Sequence, residues 1–584
     1  MPPVRLDSWK EIAAYFDRDV RTVQLWEKKE GLPVHRHEHS TRSSVYAFPP
    51  ELDRWRSARQ AERQAPQQVT QLVAAPLIPP ATTPRRIVPT LALTGGAILL
   101  TALTIVALRL HRHQPQPAFS APPAAAATPM LAVLPFDDLS GPHSPELWVD
   151  GLTDDLITEL GRSPGIQVIS RRSVMQFRGT QQSLPAIASQ LHASLVLEGT
   201  ILHRNGEAHI NARLVDPLHD RQIWSATYTR DTRDILTLQD ELASNIATAV
   251  ATQITGQPSQ PAIAAHTVDP QVRINYLTGL YLFNRRDETD MLKAVDAFQA
   301  AIAKDPHYAP AYAGLADCYN LLAVWGRLSS SEAFPRSRTA ALTALRLDPG
   351  SAEAYTSLAL ETFRYEWNFA EADRDFLKAL QLNPNYAPAH HWYGQSLVDR
   401  RRFDEGIHEL KLAQNLDPLS AIVASDVADA SIYAGRNAEA IAELHHVLNL
   451  YPDFVPAHNY LVSAYTNSGD LASALREAEI SLHLTGKDTE IRTLHLAQEV
   501  HDGHLEQARA EADALARNPA FGPIQRADLY FQVDEPDKGY AAIEQARAQH
   551  DWWIITLPVD PSFSGIRKDP RFVQIEHEVG LPTA

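Results

Sequence analysis

Small residues recur through the second half of this chain at Ala294, Ser337, Ala372, Gly406, Ala440, Ala474, Ala508 and Ala542, at intervals of 43, 35, 34, 34, 34, 34 and 34. Pro306, Pro349, Pro384, Pro418 and Pro452 keep the same rhythm. A fixed period of this length excludes a single globular core and implies a solenoid. Its unit is a helical hairpin. Small residues let the two helices approach closely, aromatics such as Phe298 and Phe376 fill the gaps between them, and proline stops the second helix. One hairpin cannot bury its own apolar face, so neighbours must stack into a superhelix with a concave groove. The single long interval puts about nine extra residues near Trp325–Ser331, as a longer helix or a loop.

The spacings Ala294-x3-Phe298-x2-Ala301-x4-Pro306 and Ala372-x3-Phe376-x2-Ala379-x4-Pro384 match the tetratricopeptide pattern. This resemblance implies about eight repeats over residues 268–550, closed by an atypical cap over 551–584, and a groove that takes a protein or peptide. The match weakens at the aromatic and proline positions after about residue 485.

A second feature divides the chain. Ile87 to Leu108 is 22 residues without an ionisable side chain, about 33 Å as a helix, which is enough for a lipid bilayer core. A transmembrane helix is therefore expected over 87–110, as an uncleaved anchor, since 86 residues precede it. Pro- and Ala-rich linkers flank it at 63–86 and 111–129. The flanking positive charges are nearly balanced and do not orient the span.

Upstream, Ser8 is placed to N-cap a helix whose inward residues are Trp9, Ile12, Ala13 and Phe16. Asp17-Arg18-Asp19 makes a turn, and a second helix runs from about Val20 to Lys29 before Gly31 and Pro33 stop it. Two short strands, around Val34–His37 and Val45–Phe48, and a helix from Pro50 complete the domain, 1–62. Arg21, Thr22, Gln24 and Lys28 remain outward on the second helix. Together with Arg18 and with Arg36, His37, Arg42 and Ser43 of the hairpin, they are the residue types that contact base edges and phosphates of double-stranded DNA. The stretch SWKEIAAYFDRDVRTVQLWEKKEGLPVHRH resembles the MerR-type, excisionase-like winged helix-turn-helix family, over roughly residues 5–60. It departs from that family at Asp17, where a turn glycine is usual, and at Leu25, where a basic residue is usual. His35, His37 and His39 alternate along the hairpin strand, but no fourth metal ligand accompanies them, and a polar wing strand is the plainer reading.

After the span, Met130–Phe136, Gln167–Ser170, Leu195–Ile201, Ala208–Leu214 and Ile223–Tyr228 read as strands. Leu152, Leu156 and Leu160 line one face of a helix, and Thr237–Ile254 is a long amphipathic helix. Asn205-Gly206 between alternating strands signals a tight hairpin. The pieces AVLPFDDLSG, DGLTDDLITEL, VISRRSVMQFRGT and VLEGTILHRNGEAHINARLVD resemble the TolB-N/FlgO-like family, which implies an α/β domain over 130–256 and a periplasmic setting. Asp137, Asp138, Asp150, Asp154 and Asp155 read as structural carboxylates, because Asp154 and Asp155 point about 100° apart on their helix.

The fold class expected is thus multidomain and mostly α: a small winged helix-turn-helix, one transmembrane helix, an α/β TolB-N/FlgO-like domain and an all-α tetratricopeptide superhelix. Residues 1–86 carry 14 Lys and Arg against 10 Asp and Glu, whereas the remainder carries 39 against 60, so only the head suits a polyanion. The single cysteine, Cys318, excludes a disulfide scaffold and Cys-based metal sites. No phosphate-cradling loop or catalytic signature is present, so no enzyme, cofactor or metal is expected. The leading function is a single-pass regulator at the inner membrane. Its DNA-binding N-terminus would be cytoplasmic and its repeats periplasmic, with DNA, a groove-bound protein or peptide, the lipid bilayer and, as an open option, a homodimer mate as partners. The alternative is an envelope scaffold or assembly protein whose head no longer reads DNA.

Overall fold

A computed structural model describes residues 6, 8–16, 20, 23, 32–36, 45–47, 49, 52, 128–140, 146–204, 207–231, 235–256, 269–519 and 521–582. The chain forms two compact units, Met1–Phe119 and Ser120–Ala584. The 63–86 linker, the predicted span at 87–110 and residues 111–127 lie outside the described residues. No helix among the described residues is long and apolar enough to cross a membrane.

In the first unit, α1 (Trp9–Tyr15) begins with a side-chain cap from Ser8. The Glu11 amide donates to the Ser8 hydroxyl at 3.3 Å, and that hydroxyl donates to the Glu11 carboxylate at 3.2 Å. Strands β1 (His35–Arg36) and β2 (Val45–Tyr46) pair antiparallel, and Leu6 bridges to Ala47 beside them. Ile12, Val23, Ala47 and Leu52 are fully buried in a small common core, which Trp9 and Phe16 only flank. His35 stacks on Tyr46 at 5.1 Å, the aromatic contact of a polar strand. Of the expected second helix only Val20 and Val23 are described.

The second unit opens with the α/β domain. Its strands are β3 (Met130–Val133), β4 (Asp137–Asp138), β5 (Gln167–Val168), β6 (Leu195–Arg204), β7 (Glu207–Asp216) and β8 (Arg221–Asp231). They order as β5-β3-β6-β7-β8, with β4 also on β6. β3 runs parallel to β5 and β6, while β6, β7 and β8 form an antiparallel meander. The alternation in β7 buries Ala208, Ile210, Ala212 and Leu214 completely. Against that face pack Leu152, Leu156 and Leu160 of α2 (Glu146–Gly161) and Ile246 and Val250 of α5 (Ile235–Thr255). Two short helices, α3 (Arg171–Val174) and α4 (Leu184–Gln190), cover the other face, where Val174, Ile187 and Leu191 meet Ala132 and Val196. β5 stops at Val168, short of the expected Ser170, because Ser170 turns away to N-cap α3. β8 exceeds its expected span at both ends, because pairing with β7 continues to Arg221 opposite Asp216. β6 and β7 meet at Arg204 opposite Glu207; the Asn205-Gly206 link lies outside the described residues.

Eight helix pairs follow among the described residues: α6/α7 (Pro270–Asn284, Glu288–Lys304), α8/α9 (Ala309–Val324, Ser330–Leu347), α10/α11 (Ala352–Arg364, Phe369–Leu382) and α12/α13 (Ala387–Asp399, Phe403–Leu416), then α14/α15 (Ala421–Tyr433, Asn437–Leu450), α16/α17 (Val455–Asn467, Leu471–Thr485), α18/α19 (Thr489–His501, Leu505–Ala516) and α20/α21 (Pro523–Gln532, Pro536–Ala548). The extra residues near Trp325 lengthen helices: α8 and α9 have 16 and 18 residues, against 13 and 14 in α10 and α11. The small positions act as the period requires. A Cβ on Gly406 would sit 2.7 Å from the Gly394 carbonyl, so α12 and α13 touch backbone to backbone.

The C-terminal segment does more than cap the last pair. Two 3-10 turns (Trp552–Thr556 and Pro561–Ile566) and α22 (Pro570–Val579) place Ile554, Phe563, Phe572 and Ile575 in one core with Phe363, Phe376 and Leu397 of the third and fourth pairs. Arg401 reaches across to the Pro558 carbonyl at 3.0 Å and the Pro582 carbonyl at 3.1 Å. The superhelix therefore curls its end back onto its own middle.

Candidate functional site: a concave cavity

The first helices of pairs one to six face inward and line a cavity of about 2420 Å³. Prolines Pro310, Pro388 and Pro456 start three of these helices, where their missing N–H costs nothing. α2 and α5 supply one side of the lining, and Trp552 and Trp553 of the C-terminal segment supply another part.

The α/β domain is held at the cavity rim by the turns between helix pairs. The Asn385 side chain accepts from the Val168 amide at 3.0 Å and donates to the Gly161 and Ile166 carbonyls at 2.8 and 3.0 Å. Asp417, 5% exposed, accepts from the Ser170 and Ser173 hydroxyls at 2.5 and 2.7 Å, with Arg172 3.7 Å away. The Ser170 amide donates to the Leu416 carbonyl at 2.7 Å, and Arg172 donates to the Ser420 hydroxyl at 2.9 Å. Arg273 of α6 pairs with Asp155 of α2 and donates to the Tyr308 hydroxyl at 2.9 Å. Leu419 adds one apolar contact, against the α3/α4 side of the domain.

Deeper in, Asp426 collects three donors: His391 at 2.6 Å, Gln395 at 2.8 Å and the Tyr460 hydroxyl at 3.0 Å. Arg364, 4% exposed, donates to Gln395 at 3.0 Å and lies 4.2 Å from the Trp552 ring and 5.7 Å from that of Trp392. Burial pulls the Arg364 guanidinium below its ordinary pKa, and Asp399 opposes that pull. Burial pushes the Asp399 carboxyl up to about 7, and it pushes the Asp317 carboxyl, which lines the cavity, up to about 7. Asp154 is raised to about 6 by burial, with Arg171, 3.5 Å away, acting the other way.

The residues singled out in the sequence distribute unevenly. Arg18, Arg21, Thr22, Gln24, Lys28, His37, Arg42 and Ser43 lie outside the described residues, and only the backbone of Arg36, within β1, is described. Asp150 is buried and ion-paired to Arg171 and Arg178, while Asp154 and Asp155 take different arginines and do not converge. His390 and His391 point to separate carboxylates, Glu409 and Asp426. Sequence reasoning missed Arg364, Asn385, Asp417 and the Trp552-Trp553 pair. One signal was present: Leu419, an apolar residue after a turn proline where the neighbouring turns carry Asn385 and Asp453.

Eight stacked helical hairpins on a period close to 34 residues make residues 270–548 of the second unit a tetratricopeptide-type superhelix. No family model matches the chain. A curated relative, putative adenylate cyclase 3 of Rhizobium meliloti, is 28% identical over 307 residues, covering 51% of this chain and 45% of the relative. Superkiller protein 3 of Schizosaccharomyces pombe is 26% identical over 185 residues, covering 30% of this chain and 13% of that protein. The chain thus spans less than half the length of either curated relative. Among solved structures, a human IFIT1 dimer with m7Gppp-AAAA aligns at TM-score 0.35 and 15% identity over 53% of this chain and 77% of that one. Yeast Tom70 aligns at TM-score 0.33 and 15% identity over 55% of this chain and 70% of that one.

Proposed function

We propose that this chain is a protein-interaction scaffold whose concave cavity holds a segment of another protein. The observation that carries the reading is the cavity itself: about 2420 Å³, lined by the first helices of six consecutive hairpins and edged by the α/β domain. Concave, largely preformed sites with a few placed polar groups are where ligands bind. The reading includes no catalytic step. It is tested by placing a photocrosslinking residue at Tyr460, inside the cavity, or at Leu342, 45% exposed on a second helix. A partner attached through position 460 and not through 342 supports the reading; attachment through 342 alone overturns it.

A second reading keeps the scaffold and adds a DNA-binding head on a membrane anchor. The first unit's small core of Ile12, Val23 and Leu52, with its capped helix and paired strands, favours it, as does the uncharged stretch 87–108. Salt-dependent retention of duplex DNA by the full chain in a gel shift separates the two, because phosphate contacts weaken steeply with salt. No retention at low salt leaves the scaffold alone.

A further inference from the structure

One wall of the cavity is a continuous stack. Trp553 lies on Trp552 with ring centroids 4.1 Å apart and planes at 26°. Trp552 lies against the Arg364 guanidinium at 4.2 Å, Arg364 against Trp392 at 5.7 Å, and Trp392 against His391 at 4.7 Å. Every inner member is flanked by two others of the series. The end member is not: Trp553 lines the cavity and remains 37% exposed. An indole left this open offers a free face for stacking.

The lining selects the sign of a guest. It carries nine Asp and Glu side chains against six arginines, and no lysine. That balance repels phosphates and acidic peptides and attracts cations. The stack also shows which cation the wall already accommodates. Arg364 sits between two indoles as a planar guanidinium, the group that pairs best with an aromatic face. The geometry points to Trp553 as the docking face for an arginine side chain of a partner peptide, which would continue the indole–guanidinium alternation one step outward. This rests on the scaffold reading above and names the chemistry of what the cavity takes: a basic, arginine-bearing segment.

The test uses the full chain and three labelled, end-blocked peptides, alternating glycine with arginine, lysine or glutamate, followed by fluorescence anisotropy at low ionic strength. The arginine peptide should bind at least about tenfold more tightly than the glutamate peptide, and the lysine peptide should fall between them. Trp553→Ala should weaken the arginine peptide about five- to tenfold, and Trp553→Phe should restore part of the loss. Trp553 sits at the open end of the stack, so the fold should tolerate both variants, and unchanged thermal unfolding would show it. Unchanged affinity in Trp553→Ala overturns the docking face. Preferred binding of the glutamate peptide overturns the charge class but leaves a peptide-holding cavity standing. Binding of none of the three overturns the basic-segment inference, while crosslinking of a protein partner at position 460 would still uphold the scaffold.

Discussion

The third to fifth helix pairs and the sixth and seventh are built on the same 34-residue template, yet they live in different surroundings. Residues 352–433 are gripped from two sides. Turns at Asn385 and Asp417 hold the α/β domain, and Phe363, Phe376 and Leu397 share a core with the C-terminal segment. Residues 455–516 pack against neighbouring pairs, through small clusters such as Val462, Ala474, Ala478 and Leu494. In a free solenoid, stability is a sum of repeat and nearest-neighbour contributions. Here the middle repeats also carry contacts between residues far apart in sequence, so the array should not melt evenly. The middle should open last, and the sixth and seventh pairs should open first.

The largest test of this contrast removes the C-terminal grip. Phe563 is 1% exposed and packs into the shared core. Phe563→Ala should cost about 3–5 kcal/mol. Hydrogen exchange should then accelerate at residues 359–369 and 393–401, with little change at 457–464. Uniform acceleration along the array would erase the distinction between gripped and free repeats.

A sharper test exploits the repeat itself. Asn385 and Asp453 follow turn prolines two repeats apart, so they are equivalent positions on one template. Asn385 makes three bonds to the α/β domain, whereas Asp453 is exposed. Asn385→Ala strands the Val168 amide and two carbonyls, at about 2–4 kcal/mol, and should raise exchange at residues 161–173. Asp453→Ala should change stability by less than about 0.5 kcal/mol. Equal effects in urea unfolding would mean that the clamp contributes nothing.

The hairpins and their close packing were legible because they are local: period, small residues and proline act within about 40 residues of each other. The meander was legible too, since the alternation in Ala208–Leu214 marks the buried face directly. The clamp and the curl-back were not. Ser170 meets Asp417 across 247 residues and Arg401 meets Glu576 across 175, and nothing in a 34-residue pattern encodes such partners. The cavity followed the same rule. The groove could be expected from the repeat, but its edging by the α/β domain and its stack of Trp553, Trp552 and Arg364 depend on where the end of the chain returns. The histidines show the converse. His390 and His458 both bridge a second-helix glutamate at 2.6 Å and the carbonyl of the preceding turn proline, so a device repeated at 68 residues was in view and went unread.

The two regions should also respond to pH with opposite sign. In the gripped region, Asp399 is 6% exposed and its carboxyl is raised to about 7 by burial, with Arg364 pulling the other way. The folded state therefore holds this proton more tightly than the unfolded chain, whose aspartates titrate near 4. The stabilisation is complete below about pH 4 and is lost as pH climbs through about 7. In the free region, Asp470 caps α17 by accepting from Ser473, and those bonds lower its carboxyl below the ordinary value. Its contribution is present at neutral pH and fades as acid protonates it. Acidification from pH 8 to 5 should thus firm the middle repeats and leave the α17 cap no stronger. Asp399→Asn should remove about 1–3 kcal/mol of the pH dependence of urea unfolding over that window. It should leave exchange at residues 471–485 unmoved. If Asp399→Asn kept the full pH slope, burial at that position would not be what holds its proton, and the gripped region would be no drier than the free one.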